Sequence, residues 1–224
     1  IGDASVVLLA FGSWLILATV INFVERFLHF PISVTLVLLA VGFSFFNNNH
    51  AIRTSKNVEL TERLNTEEAF EVWLQNKLER AENDSIPVYL VAAEGGGIRS
   101  AYWTCQALSQ IHELHPEFGD HLFAMSGVSG GALGVTLFNA MLYDNEEDMV
   151  HKGYAMLSQD YLSPVTSYFL FPDLLQKFIP VPIHQFDRSR ILEKSWEKSW
   201  ENLRSTPEGI GLDQPFVNTF SRTD

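Results

Sequence analysis

The chain is poor in cysteine and in positive charge. Cys105 is the sole cysteine among 224 residues, which excludes an intrachain disulfide and any zinc site of paired cysteines. It falls within a predicted helix and reads as a small buried apolar residue; such sparse use of thiols fits a reducing compartment. Lys and Arg number 15 against 27 Asp and Glu, a formal net charge of −12. An acidic surface repels phosphate backbones, so nucleic acid is excluded as a partner. No run of Lys or Arg suggests docking on anionic lipid through a polybasic segment. Low-complexity segments are also missing.

Charge is scarcest at the start. The first 50 residues hold only Asp3, Glu25 and Arg26, so residues 51–224 carry 25 acids and 14 bases, a net of −11. Residues 4–24, "ASVVLLAFGSWLILATVINFV", form an uncharged run of 21, and 27–46, "FLHFPISVTLVLLAVGFSFF", a second of 20. At ~1.5 Å per residue each is long enough for a hydrocarbon core of ~30 Å. The runs predict a transmembrane hairpin over 1–50, with lipid bilayer as partner through residues 4–46. A cleaved signal peptide fits less well, because a basic leading region is missing and two long runs follow one another. Arg53, Lys56 and Arg63 after the second run, against Arg26 between the runs, place residues 51–224 on the cytoplasmic side.

Residues 51–85 read as a linker and an amphipathic helix. Asn65 and Glu68 have the spacing of a capping box, and Phe70, Trp73, Leu74 and Leu78 form an apolar stripe. From residue 86 the pattern changes. "IPVYLVAA" (86–93) is a buried-strand run, glycines follow, and "IRSAYWTCQALSQIHEL" is a helix. "HLFAMSG" (121–127) is a second strand run, followed by the helix "GGALGVTLFNAMLY". This βαβα order implies a parallel sheet covered by helices, with the ligand at the carboxyl ends of the strands. Residues 168–186 are aromatic and broken by prolines; core, lid and membrane-touching surface all remain open for them. Asp187 caps a further helix with Leu192, Trp196, Trp200 and Leu203 on one face, and "PFVNTF" (215–220) reads as a later strand.

Two glycine clusters carry the chemistry. Gly127-Val128-Ser129-Gly130-Gly131 has the form G-x-S-x-G and sits between a predicted strand and a predicted helix. A nucleophile elbow needs that context, since its sharp turn leaves no room for neighbouring side chains. Ser129 at a helix N-terminus would have its negative charge stabilised by free N–H groups. A serine nucleophile also needs donors for the oxyanion. The Gly130 N–H is one, and the bare backbone of Gly95, Gly96 and Gly97 in "EGGGIRS" offers others. Arg99 adds a positive charge able to hold that loop or to meet a substrate phosphate. A nucleotide loop is the competing reading of these glycines, but G-x-G-x-x-G would require glycine where Ser100 stands. No histidine lies in a recognisable triad context.

The pair "EGGGIRS" and "GVSGG" resembles the patatin-like phospholipase family over residues 86–145. That family has a D-G-G-G-x-R-G loop, a G-x-S-x-G elbow about thirty residues on, a later D-G-G or D-G-A, and a Ser–Asp dyad without histidine. The resemblance extends more softly, through "FPDLLQKFIPVPI" and "DRSRILEKSWE", to membrane-linked bacterial members. It implies an α/β fold, a three-layer parallel-sheet patatin-like hydrolase domain over 86–224, here its N-terminal part, behind two transmembrane helices in a bacterial inner membrane. It implies Ser129 as nucleophile, Gly95–Gly97 as oxyanion loop and Arg99 as the loop's arginine. The activity implied is hydrolysis of lipid acyl esters through an acyl-enzyme, with no metal or cofactor. Glu94 and Ser100 depart mildly from the motif. The chain has no Asp-Gly dipeptide, and since it starts at Ile1 rather than Met, it reads as part of a longer one. The dyad aspartate is therefore expected beyond residue 224.

Two other functions fit parts of the pattern. "GVSGGALG" and the uncharged stretch 122–143 fit a rhomboid-type intramembrane serine protease, which leaves "EGGGIRS" unexplained. The missing aspartate favours a membrane-tethered scaffold or binding module with a dead hydrolase domain.

Overall fold

Helix α1, Asp3–Leu28, is the direct product of the first apolar run. It is continuous over 26 residues, or about 39 Å at the usual rise. It ends at His29, which takes a left-handed conformation with φ 53°. The computed structural model describes residues 2–48, 64–80, 85–205 and 209–213. Among these α1 is the one helix long and apolar enough to cross a membrane.

The second predicted span is corrected. Pro31 bars continuation of a helix through it, because it has no N–H and clashes with the preceding turn. Helix α2 therefore starts only at Ile32 and ends at Ser44, 13 residues or about 20 Å. That is too short for a hydrocarbon core of ~30 Å, so the hairpin of two full spans does not form. The bases used to orient it, Arg53, Lys56 and Arg63, lie outside the described residues.

The chain divides into two compact units, Ile1–Lys56 with Asp160–Lys198, and Asn57–Gln159 with Ser199–Asp224. In the first, α1 meets its neighbours along one stripe: Asp3, Val7, Trp14, Ile21 and Val24 are half-buried and Ala10 is buried. Their spacing of three and four keeps one helix face turned to its partners. Helix α8, Leu162–Tyr168, packs on α1 and runs on into a π-helical turn, Phe169–Asp173, and then α9, Leu174–Gln176. Pro172 lies inside that turn, in keeping with the disturbance a proline makes in an α-helical ladder. Helix α10, Arg188–Leu203, follows. Asp187 accepts a hydrogen bond from the Ser189 N–H at 2.9 Å, as its predicted capping role requires. Trp196 stacks on Tyr161 at 4.6 Å.

The second unit holds the βαβα pattern. Helix α3, Thr66–Arg80, opens with the predicted box: the Glu68 N–H donates to Asn65 Oδ1 and the Asn65 N–H to Glu68 Oε2, each at 3.0 Å. Phe70 and Trp73 set their rings edge-on to Phe123, whereas Leu78 is exposed and does not extend the stripe. Strands β1, Tyr89–Ala93, and β2, Leu122–Gly127, pair in parallel. Helix α4, Gly97–Leu114, is followed by the short α5, Glu117–Asp120; α4 and α6, Gly130–Tyr143, pack on each other, and α7, Met149–Leu157, packs on both. Their core includes Ala101, Cys105, Leu108, Leu137, Phe138, Met141 and Met156.

The expected three-layer parallel-sheet hydrolase domain is also corrected. Among the described residues the sheet has two strands, and most of the other described residues are helical. Leu90 and Ala92 on β1, paired with Ala124 and Ser126 on β2, stand exposed, Leu90 at 70 %. A third layer would have to cover that face. The predicted strand at 215–220 lies outside the described residues.

One buried ionic cluster ties this unit's last segment down. Glu146 is fully buried, is paired with Lys152, and accepts the Ser205 N–H at 2.7 Å. Burial pushes its carboxyl up, but hydrogen bonds from Lys152 and Ser205 and the Lys152 charge outweigh burial and hold it below the ordinary value. A depressed carboxylate contributes stability above its unfolded value, lost as pH falls through the folded one. We expect Glu146→Gln to lower the melting temperature at pH 7, and the gap from wild type to narrow as pH drops below about 4. A gap that stays constant in thermal melts would argue against the assignment.

Candidate active site

Parallel pairing sets the site. Ala93 is in register with Gly127, so the loops after β1 and β2 leave the same end of the sheet side by side. The Val128 N–H continues the ladder by donating to the Ala93 carbonyl at 3.0 Å. The chain then turns within a single residue. Ser129 has φ 52° and ψ −121°, and α6 begins at Gly130. A non-glycine residue with positive φ is strained by roughly 1–3 kcal/mol and must be held by its surroundings.

The surroundings are glycine backbone packed too closely for side chains. A methyl group on Gly131 would lie 2.5 Å from the Glu94 carbonyl oxygen, and one on Gly127 2.6 Å from the Ala132 nitrogen. On Gly130 it would meet the Gly97 carbonyl oxygen at 1.9 Å. These contacts explain the glycines of G-x-S-x-G sterically: the elbow is wedged into the loop that follows β1. Gly97 itself has φ 62°, a conformation that glycine adopts without penalty.

That loop places Gly95 against the serine. A Cβ on Gly95 would stand 3.3 Å from the Cβ of Ser129, so the open side of Gly95 faces the serine. Gly96 precedes α4 and Gly97 opens it, as Gly130 opens α6. The first N–H groups of a helix have no partner within it, and its N-terminus carries about half a positive charge. Two such ends therefore meet beside Ser129. Gly95, Gly96, Gly97, Arg99 and Ser129 are all exposed. Arg99 lies in the first turn of α4, and no carboxylate among the described residues pairs with it. The Ser100 hydroxyl donates to the Glu94 carbonyl and so closes the loop. The motif alone did not reveal this tie, although a hydroxyl in the first turn after a glycine loop is the signal for it.

No family model, curated protein or solved structure matches this chain. What the site could do chemically rests on its own geometry: a serine in a strained turn with glycine backbone against it. Among the described residues no histidine or carboxylate is hydrogen-bonded to Ser129. His115 faces Glu117 at 3.4 Å and His151 faces Asp148 at 3.9 Å. His121 bonds to the Glu117 carbonyl, and the Nδ1 of His112 is buried without a partner in α4. No group of three or more His, Cys, Asp or Glu among the described residues is placed to hold a metal ion. Cys105 is not a reactive thiol: burial, partly offset by a hydrogen bond with Ser109, pushes it up to about 12. Finally, residues 122–127 form a strand, so 122–143 is not the single apolar helix that a rhomboid-type protease would need.

Proposed function

We propose that the protein is a membrane-anchored serine hydrolase acting on acyl esters of lipids. The observation that carries this reading is Ser129, held in a strained turn between a strand and a helix N-terminus with the bare backbone of Gly95 against it. Ser129 attacks the ester carbonyl, the alcohol leaves, and water then releases the fatty acid from the acyl-enzyme. The N–H groups of Gly130 and of the 95–97 loop hold the oxyanion, each donor worth about 3 kcal/mol of barrier. Arg99 meets a phosphate of the substrate. The resemblance of both motifs to patatin-like phospholipases supports this assignment, with an aspartate as the base. A helix as apolar as α1 supports a substrate drawn from the bilayer, and the softer resemblance to membrane-linked bacterial members supports a bacterial inner membrane.

The second reading is a scaffold with an inactive hydrolase-like site, favoured by the absence of a base beside Ser129 among the described residues. A fluorophosphonate probe separates the two. Applied to membranes of cells making the protein, it is expected to attach covalently, with the tag mapped by mass spectrometry to the peptide that carries Ser129. A tag on another residue, or none, supports the scaffold.

A further inference from the structure

We propose that α1 does not cross the bilayer but lies in the plane of one leaflet, together with α2, with the outer faces of both helices in the hydrocarbon. The inference rests on what touches the middle of α1. Trp14 stands near the midpoint of Asp3–Leu28. Its indole N–H donates to the Leu170 carbonyl at 3.1 Å, and its ring stacks on Phe171 at 6.4 Å. An upright α1 would place this contact at the centre of the membrane.

Charge follows Leu170 closely. Asp173 is three residues on, within about one helical turn, and pairs with Arg188 at 2.7 Å. The carboxylate is buried, but the arginine side chain is 39 % exposed and lies over the Phe169 ring at 5.3 Å. Arg188 is also the first residue of α10, whose next ten positions include Arg190, Glu193, Lys194, Glu197 and Lys198. Holding Trp14 at mid-membrane would carry an outward-facing guanidinium, and the start of a charged helix, into hydrocarbon. Such groups are tolerated there only when they are turned inward.

In the plane of a leaflet the conflict disappears. A helix ~10–12 Å across fits within half of a ~30 Å hydrocarbon core. The stripe through Ala10 and Trp14 faces the protein, and Leu8, Phe11, Leu15 and Phe23, each at least 66 % exposed, face lipid. Helix α2 has no buried residue and offers Val34, Val37, Leu38 and Val41 alongside. A groove of about 250 Å³ separates α2 from Lys177 and Phe178, with apolar walls from Leu36 to Val41. Lys177 is half-buried at its edge, and no carboxylate among the described residues pairs with it. At the rim of an embedded face, a cation of this kind complements anionic headgroups. Asn47 closes the end of α2 by donating to the Gln176 and Ile179 carbonyls at 2.9 and 2.8 Å.

The test counts labels per chain. Gly2→Cys and His29→Cys are combined, since both positions are exposed and bracket α1; buried Cys105 stays silent. The full chain is reconstituted into vesicles of phosphatidylcholine and phosphatidylglycerol and treated with a membrane-impermeant maleimide. An in-plane helix yields chains carrying two labels or none, according to the leaflet they occupy. A spanning helix yields one label on every chain, whichever way it is inserted, and that result overturns the proposal. Opening the vesicles with detergent must bring all chains to two labels, which verifies that both sites are reactive in the folded protein.

Discussion

Gly130→Ala is expected to destabilise the second unit by at least ~3 kcal/mol, above the usual range for overpacking, and to abolish probe attachment at Ser129. The added methyl would lie 1.9 Å from the Gly97 carbonyl oxygen and 2.7 Å from its carbon. Both are backbone atoms, so no rotamer change relieves the clash; either α6 or the 95–97 loop must move. The same experiment at Gly95 separates folding from chemistry. There a methyl would meet the Ser129 Cβ at 3.3 Å and the Val128 carbonyl oxygen at 3.4 Å, tight but tolerable. Gly95→Ala should therefore melt within about 1 kcal/mol of wild type while, on the proposed function, reacting far more slowly with the probe, because the methyl would crowd the approach to Ser129. Gly97→Ala meets no atom within 4 Å but has φ 62°, so it should cost only the left-handed penalty of about 1–2 kcal/mol. Equal losses at all three positions, measured by thermal melts and probe labelling together, would mean that the glycines serve packing alone.

Those contrasts show what was legible beforehand. G-x-S-x-G between two kinds of element announced the elbow, because the chemistry of a sharp turn is local and is written in adjacent residues. The Asn65–Glu68 box was legible for the same reason. α1 was legible because an uncharged run with no proline has little choice but helix. The second apolar run misled because its composition matches a span while Pro31 sets where a helix can begin. The sheet misled more deeply. Strand count depends on partners far apart in the chain, and two β-rich runs with intervening helices are compatible with a large parallel sheet or with a pair of strands. Nor could spacing reveal that Trp14, at the centre of the most apolar helix, hydrogen-bonds 156 residues away. The wedge of Gly130 against Gly97 was equally hidden, since it exists only once β1 and β2 are in register.

Trp200→Ala is the second large expected effect, a loss of about 3–5 kcal/mol, the usual cost of removing a large aromatic from a core. Trp200 was placed in the sequence within a stripe of four, but the stripe is not uniform. Leu192 is 39 % exposed and Trp196 half-buried on Tyr161, whereas Trp200 is 1 % exposed. Its indole N–H donates to the Ile210 carbonyl at 2.7 Å. The Ile210 N–H in turn donates to Asp144 at 2.9 Å, and Arg204 donates to the Gly209 carbonyl at 3.0 Å. Residues 209 and 210 are thus held at both ends, beside the helix that carries Ser129. Alanine would leave a cavity and an unpaired carbonyl, adding about 1–3 kcal/mol if that oxygen stays dry. Trp200→Phe keeps most of the packing and loses the donor, so it should cost about 1–2 kcal/mol less than the cavity-forming change. If denaturant melts place the two variants together, the hydrogen bond carries the effect. If Trp200→Ala is as stable as wild type, the last segment does not belong to the core of this unit.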